Sequence, residues 1–190
     1  MKTLCVFCGS SPGTRPAYTQ AAHTLGETLA ERDLSLVYGG GKVGLMGELA
    51  DAVLANGGSV TGVMPEFLAT KEIAHPDLSE LRLVASMHER KALMAELADG
   101  FVMLPGGFGT LEEFMEVLTW AQLGLHSKPL GLLNTEGYYD SLLSFFDHAV
   151  GEGFVSQTLR DLVLEAPEPA ELLEAMHRQP AAFDKWAKPE

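Results

Sequence analysis

A glycine-rich run, LPGGFGTLEE from Leu104 to Glu113, lies between an apolar segment and a helical pattern. Backbone N–H groups at the start of a helix bind phosphate, and glycines leave these groups open to a ligand. The candidate donors are the backbone of Gly106, Gly107 and Gly109 and the hydroxyl of Thr110. The run therefore predicts an anion site, but the two carboxylates that end it would repel an anion and need a different explanation.

The second of these carboxylates, Glu113, fits two roles. Thr110 and Glu113 have the T-x-x-E spacing of a capping box, in which the acid only starts the helix. The other role is that of a catalytic carboxylate, which acts as an acid or a base toward a bound ligand. A capping position accepts glutamine as well as glutamate, whereas a catalytic carboxylate cannot be replaced in this way. Glutamine at position 113 would therefore separate the two roles.

Two bases, Arg90 and Lys91, follow another predicted strand in the run SMHERK. Ser86 and Glu89 have capping-box spacing, which explains the start of a helix without any further function. The bases are not explained in this way, since the helix dipole disfavours positive charge in the first turn by up to ~1 kcal/mol. In a chain of net charge −13 they favour an anionic ligand, with ordinary surface charge as the alternative.

A second glycine-rich segment, YGGGKVG (Tyr38–Gly44), satisfies the pattern G-x-G-x-x-G between a predicted strand and a predicted helix. It is not a Walker A loop, because Lys42 is followed by Val43 and not by serine or threonine. It also does not follow the first strand, as the usual dinucleotide motif does. A tight turn is one interpretation; we favour the other, that the glycines let a small ligand approach the backbone.

Short apolar segments alternate with longer helical patterns along the chain. Strands are predicted at Thr3–Cys8, Leu34–Tyr38, Ser59–Met64, Leu81–Ala85, Phe101–Leu104, Pro129–Leu133 and Leu162–Leu164. This alternation indicates βαβ units and an α/β fold. We predict a single Rossmann-like, doubly wound domain over residues 1–180, with a mostly parallel sheet flanked by helices, and a C-terminal tail over residues 181–190.

Four loops of unusual composition follow predicted strands: CGSSPGT, YGGGKVG, SMHERK and PGGFGT. The carboxyl ends of parallel strands meet at one edge of a sheet, where α/β proteins bind ligands. We therefore expect all four loops along one rim. The helix that follows the last loop places Glu112 and Glu116 one turn apart as like charges, which Arg90 or a partner subunit could neutralise.

The composition excludes several classes of protein. A net charge of −13 argues against binding to nucleic acid or to anionic membranes. No apolar run reaches the ~20 residues of a membrane-spanning helix, and no secretory signal is recognised. Cys5 and Cys8 are predicted to be reduced, semi-buried thiols on opposite faces of a strand. We expect a cytoplasmic protein with no metal site and no cofactor.

Several of these segments together resemble the Lonely Guy family of cytokinin-activating enzymes. The resemblance rests on MHERK (Met87–Lys91), on PGGFGTLEE (Pro105–Glu113) and on YGGG upstream. It runs from CGSS near the start through WAQLGLHSKPLGLLN (Trp120–Asn134) to GYYDSLLSFFDHAVGEGF (Gly137–Phe154) and so covers most of the chain. It implies a Rossmann-like homodimer that hydrolyses the N-glycosidic bond of nucleoside 5′-monophosphates. The expected products are a free base and ribose 5-phosphate.

The resemblance also implies roles for individual residues. It makes Arg90 and Glu113 catalytic and places the phosphate on the segment from Gly107 to Thr110. The positions that it implies for contact with the substrate are Ser10, Gly40, Gly41, Glu72, Met87, Arg90, Lys91, Gly106, Gly107, Phe108, Gly109, Thr110, Leu111, Glu112, Glu113 and Thr119. No position of these motifs departs from the family pattern.

Two other functions are also compatible with the sequence. Some family members have been labelled lysine decarboxylases, but no lysine here is identified as a Schiff-base residue with a partner for pyridoxal phosphate. A carrier that binds a nucleotide or cofactor without hydrolysing it could use the same rim. The enzyme is favoured over the carrier, because a phosphate binder gains nothing from a carboxylate nearby. Whether the base of the substrate is prenylated is left open.

Overall fold

A computed structural model of the chain describes residues 1–69 and 74–179. Within these residues, seven parallel strands form one sheet with helices on both faces. The strands are β1 (Thr3–Phe7), β2 (Ser35–Tyr38), β3 (Val60–Pro65), β4 (Glu80–Val84), β5 (Gly100–Met103), β6 (Leu130–Leu133) and β7 (Val163–Ala166). The helices are α1 (Pro16–Glu31), α2 (Gly44–Ala55), α3 (Glu66–Ala69), α4 (Met87–Leu97), α5 (Phe108–Gln122), α6 (Asp140–Gly151), α7 (Gln157–Arg160) and α8 (Pro169–Arg178). The predicted α/β fold is confirmed.

The strand order is β4-β3-β2-β1-β5-β6-β7. From β1 the chain winds outward to β4, and then it returns to β5 and winds outward on the other side to β7. The order therefore reverses between β1 and β5, and a crevice opens at their carboxyl ends, where such sheets bind ligands. Parallel pairing of Phe7 with Met103 places the loops that follow these two strands side by side.

Both faces of the central strands are buried, which explains why they read as continuous apolar runs. One face is covered by α1, α2 and α8, and the other by α4, α5 and α6. Cys5 packs under the second group of helices and Cys8 under the first, so the predicted opposite faces are confirmed. The prediction of semi-buried thiols is wrong, because helices on both sides bury both free cysteines.

Three short elements were not predicted: α3, α7 and a 3₁₀ turn at Thr135–Gly137. Each has four residues or fewer, too few to show a helical period in the sequence. The predicted tail, residues 181–190, lies outside the described residues. No helix in the described part of the chain is both long and apolar enough to cross a membrane.

Candidate active site

Backbone contacts join three of the four predicted loops beside β1. The N–H of Gly9 donates to the carbonyl of Pro105 at 3.0 Å, and the Gly9 carbonyl accepts from the N–H of Leu45 at 3.0 Å. Gly44 has a φ of +58° and packs against the backbone of Ser10 so closely that a Cβ would overlap it. Only glycine satisfies both conditions. The loops after β1, β2 and β5 therefore form one interlocked wall.

Helix α5 begins at Phe108, and Gly107 is its N-cap residue, with no side chain capping the helix. The N–H groups of the first turn have no acceptor within the helix, which is the arrangement that binds phosphate. Thr110 is buried inside the first turn and does not precede the helix. The capping-box interpretation of Thr110 and Glu113 is therefore wrong, because glycine already supplies the extended cap residue three positions earlier.

A cavity of about 340 Å³ lies between α4, the start of α5 and the loop after β1. This volume falls within the usual range for small-molecule sites, roughly 300–1,000 Å³. The lining residues are Cys8, Gly9, Ser10, Met46, Leu68, Met87, Arg90, Gly107, Phe108, Gly109, Thr110 and Glu113. The cavity thus brings together free helix N–H groups, one guanidinium and one carboxylate.

Arg90 and Glu113 face each other across this cavity. Arg90 Nη2 lies 3.5 Å from Glu113 Oε1, and the two side chains are only 9% and 12% exposed. Arg90 Nε is buried and has no hydrogen-bond partner among the described residues, while Nη1 has only the weak acceptor Met87 Sδ at 3.9 Å. A buried guanidinium with unused donors is costly unless a ligand supplies acceptors. The geometry therefore favours a polar or anionic ligand here.

The Glu113 carboxyl has a perturbed acidity. Burial raises its pKa above the ordinary value, and the positive charge of Arg90 opposes the rise. A buried carboxylate beside a cation can stabilise a second positive charge that develops in the cavity, or it can take a proton from water. This combination suits a reaction with a cationic transition state.

The YGGG segment leaves room for the Arg90 side chain at this site. A Cβ at Gly39 would overlap Arg90 Nη2 and would lie 3.1 Å from Arg90 Cζ, so the bare backbone makes room for the guanidinium. Gly40 and Gly41 do not line the cavity; the Gly40 carbonyl accepts from the N–H of His75 at 3.0 Å, and Gly41 forms a bridge with Ala74. Contact of Gly40 and Gly41 with a substrate stays a prediction.

Lys91 lies one residue beyond Arg90 but points to different partners. Its Nζ binds Glu112 at 2.5 Å and forms an ion pair with Glu116 at 3.1 Å. Burial alone would lower the pKa of Lys91, but its bonds to the two carboxylates outweigh burial and raise it. The sequence analysis named Arg90 or a partner subunit for this charge, but within the chain Lys91, and not Arg90, is the cation that neutralises these two acids. Ser86 accepts from the N–H of Glu89 at 3.2 Å, which confirms that predicted cap.

The remaining predicted contacts divide into two groups. Ser10, Met87 and Phe108 line the cavity, whereas Leu111 packs at the edge of the core and Thr119 lies in a different groove with Leu118. Glu72 lies outside the described residues. Cavity residues absent from the predicted contacts are Cys8, Gly9, Met46 and Leu68, none of which has a polar side chain that would signal a site. Within residues 1–69 and 74–179, no group of three His, Cys, Asp or Glu side chains could hold a metal ion.

The sequence is similar to characterised enzymes over almost its whole length. A family model described as possible lysine decarboxylase matches residues 46–176. The chain is 53% identical over 184 residues to the cytokinin riboside 5′-monophosphate phosphoribohydrolase LOG7 of Arabidopsis thaliana, covering 97% of this chain and 85% of that protein. It is 51% identical over 191 residues to LOG1 of the same plant, which is named for the same activity. This match covers 97% of this chain and 90% of LOG1.

Solved structures with the same fold include two molybdenum cofactor proteins. The molybdenum cofactor binding protein from Rippkaea orientalis has a TM-score of 0.69 and 21% identity, covering 93% of this chain and 96% of that chain. The molybdenum cofactor carrier protein of Chlamydomonas reinhardtii has a TM-score of 0.69 and 20% identity, with the same coverage. At these identities the similarity concerns the fold alone.

Proposed function

The chain belongs to the Lonely Guy family, and on this basis we propose that it is a hydrolase that cleaves the N-glycosidic bond of nucleoside 5′-monophosphates. The products are a free base and ribose 5-phosphate. One observation of the structure carries the proposal: the free N–H groups of α5, the under-used guanidinium of Arg90 and the carboxylate of Glu113 all face one cavity.

Glu113 is the residue that we assign to the reacting carbon. When the bond between C1′ and the base breaks, its electron pair leaves with the base, which takes a proton, and positive charge develops on the ribose. The Glu113 carboxylate stabilises that charge, orients a water molecule and takes a proton from it as the water oxygen bonds to C1′. This proton balances the one that the departing base takes up. Arg90 holds the substrate through its free donors and balances the charge of the carboxylate.

The segment Gly107–Thr110 is assigned to the phosphate. Its N–H groups and the positive end of the helix dipole attract an anion. Binding energy from this remote group positions the ribose against Glu113, so it contributes to catalysis although no bond to phosphorus changes. The two ends of the run PGGFGTLEE thus bind two different parts of one substrate, which removes the conflict between its glycines and its acid.

A non-catalytic carrier is the alternative, and the molybdenum cofactor proteins share the fold. Because they are only 20–21% identical to this chain, their similarity does not imply a shared function. A carrier that binds phosphate gains nothing from a buried carboxylate such as Glu113 beside the anion site. The site also gives no support to decarboxylation, because the ammonium group of Lys91, beside Arg90, is bound to two carboxylates.

Release of a free base tests the proposal directly. The protein is incubated with AMP, with isopentenyladenosine monophosphate and with the two matching nucleosides, and the base and ribose 5-phosphate are quantified. We expect release from at least one nucleotide and far slower release from its nucleoside. The preferred nucleotide identifies the substrate. No release from any nucleotide would favour the carrier, and equal turnover of nucleoside and nucleotide would contradict the role given to the phosphate.

The pH dependence of kcat/KM should report the acidity of Glu113. Since burial raises the pKa of this carboxyl and the ionised form is the active one, kcat/KM should rise with pH through a midpoint above the ordinary glutamate range. Arg90→Gln removes a cation that lowers this pKa, so the midpoint should move to higher pH in that variant. The control is Arg15→Gln, which removes an exposed partner of Glu136. This variant should leave the midpoint of kcat/KM unchanged. A midpoint that is unchanged by Arg90→Gln would exclude Glu113 as the titrating group.

We also propose that the chain forms a homodimer, as the family resemblance implies. Large apolar side chains on the surface support this; Leu125 and Phe154 are 70% and 87% exposed. Sedimentation equilibrium should give twice the chain mass of 20.4 kDa. A single species of one chain mass at the concentrations used for activity assays would contradict the dimer.

A further inference from the structure

Three successive carbonyls before α5 are each held by a donor from another part of the chain. The Leu104 carbonyl accepts from the Tyr139 hydroxyl at 2.7 Å, and the Pro105 carbonyl accepts from the N–H of Gly9 at 3.0 Å. The Gly106 carbonyl accepts from the Tyr138 hydroxyl at 2.7 Å. The backbone that leads into the anion site is thus fixed from outside the loop, although two adjacent glycines would leave it flexible.

The bond from Tyr138 has a consequence for the next residue. In a planar trans peptide, the carbonyl of one residue and the N–H of the following residue point in opposite directions. The Tyr138 hydroxyl, by holding the Gly106 carbonyl, therefore sets the direction of the Gly107 N–H. Gly107 is the N-cap residue of α5 and lines the cavity that contains Arg90.

Tyr138 is itself held in place by its neighbours. Its ring meets the ring of Tyr18 edge-on, with centroids 5.4 Å apart, and that of Tyr139 with centroids 4.7 Å apart. The turn before it is tied to the start of α1 by an ion pair of 3.0 Å between Glu136 and Arg15. These contacts restrict the ring, so the hydroxyl can act as a fixed donor.

We propose that Tyr138 is a positioning residue that orients the phosphate-binding backbone at the start of α5. The proposal rests on the phosphate site assigned above. Tyr138 does not line the cavity that contains Arg90 and Glu113; it lines an adjoining cavity of about 290 Å³ on the other side of Gly107. It therefore acts through the backbone, and its contribution is pre-organisation of N–H donors for the phosphate.

The variant Tyr138→Phe tests this role because it keeps the ring and removes only the hydroxyl. A neutral hydrogen bond corresponds to about a 3- to 10-fold change in affinity. We expect the Kd for ribose 5-phosphate and for inorganic phosphate, measured by calorimetry, to rise by that factor. KM for the nucleotide should rise equally with kcat little changed, while kcat/KM for the nucleoside should stay constant.

The matched control is Tyr18→Phe, since the structure gives the Tyr18 hydroxyl no hydrogen bond within the described residues; its phosphate affinity should equal that of the wild type. An unchanged phosphate affinity in Tyr138→Phe overturns the positioning role, and so does an equal loss on nucleoside and nucleotide, which would indicate general destabilisation. Wild-type protein that binds no phosphate overturns it as well. If phosphate binding weakens as expected but no nucleotide is hydrolysed, the positioning role stands and the proposed reaction fails.

Discussion

Glu113→Gln is expected to reduce kcat for nucleotide hydrolysis by about 10²- to 10⁴-fold, the usual contribution of a catalytic acid or base. Glutamine has the shape of glutamate but cannot carry the negative charge that stabilises the ribose cation, and it cannot take a proton from water. Substrate affinity should change much less, because the phosphate contacts lie at the other end of the site. Steady-state kinetics with the nucleotide preferred by the wild type measures both quantities.

The same variant should fold at least as well as the wild type. The pKa of Glu113 is raised by burial, so the folded state favours the neutral carboxyl and loses stability as pH rises through that raised pKa. Glutamine avoids this loss. The difference in melting temperature between Glu113→Gln and the wild type should therefore favour the variant more at pH 7 than at pH 4. At pH 4 the glutamate of the wild type approaches the neutral form, so the two proteins differ less. Functional residues often carry such a cost in stability.

The control for Glu113→Gln is Glu116→Gln, which makes the same chemical change one turn further along α5. Glu116 pairs with Lys91 and does not line the cavity, so its replacement should change kcat by less than about 3-fold, as expected for a partly exposed ion pair. A fully active and folded Glu113→Gln would remove Glu113 from the mechanism. If Glu113→Gln unfolds, the charge of the Glu113 carboxylate is instead required for the stability of the fold.

The fold was predictable because its physical signals are local. Parallel strands buried on both faces must be apolar at every position, and β1 and β5 therefore stand out as short runs between helical patterns. The order of the strands carries no such signal, since it depends on which runs pair. The crevice between β1 and β5, and with it the contact between Gly9 and Pro105, could be expected only as a general property of such sheets.

The details of the site were less predictable, because they depend on how helices are rotated and where they begin. Neighbouring residues on a helix point about 100° apart, so the sequence could not decide which of Arg90 and Lys91 faces Glu113 and which faces Glu112. The spacing of Thr110 and Glu113 fits a capping box, but a glycine earlier in the run caps α5 instead. Tyr138 reaches Gly106 across 32 positions of sequence, and no local pattern reports such a contact.

Gly39→Ala is expected to lower kcat/KM by about 10- to 100-fold while the protein stays folded. A Cβ at this position would overlap the tip of the Arg90 side chain, and the guanidinium must then move away from Glu113. Loss of one charged hydrogen-bonding group from a substrate costs about 1.5–3 kcal/mol, which corresponds to this range. The fold survives because φ at Gly39 lies outside the left-handed region and the overlapped atoms end a flexible side chain. Kinetics and thermal unfolding of the same preparation separate the two effects.

A double variant decides whether Gly39 acts through Arg90. If the alanine methyl group only displaces the guanidinium, Gly39→Ala combined with Arg90→Ala should be no less active than Arg90→Ala alone, because the group to be displaced is already gone. Additive losses would contradict this and would indicate that Gly39 contacts the substrate itself. Gly151→Ala is the matched control, since a Cβ there has no neighbour within 4 Å, and it should be as active as the wild type. Position 39 would then require glycine because a larger residue would occupy the space of the Arg90 guanidinium, and not because the backbone must be flexible or contact the ligand.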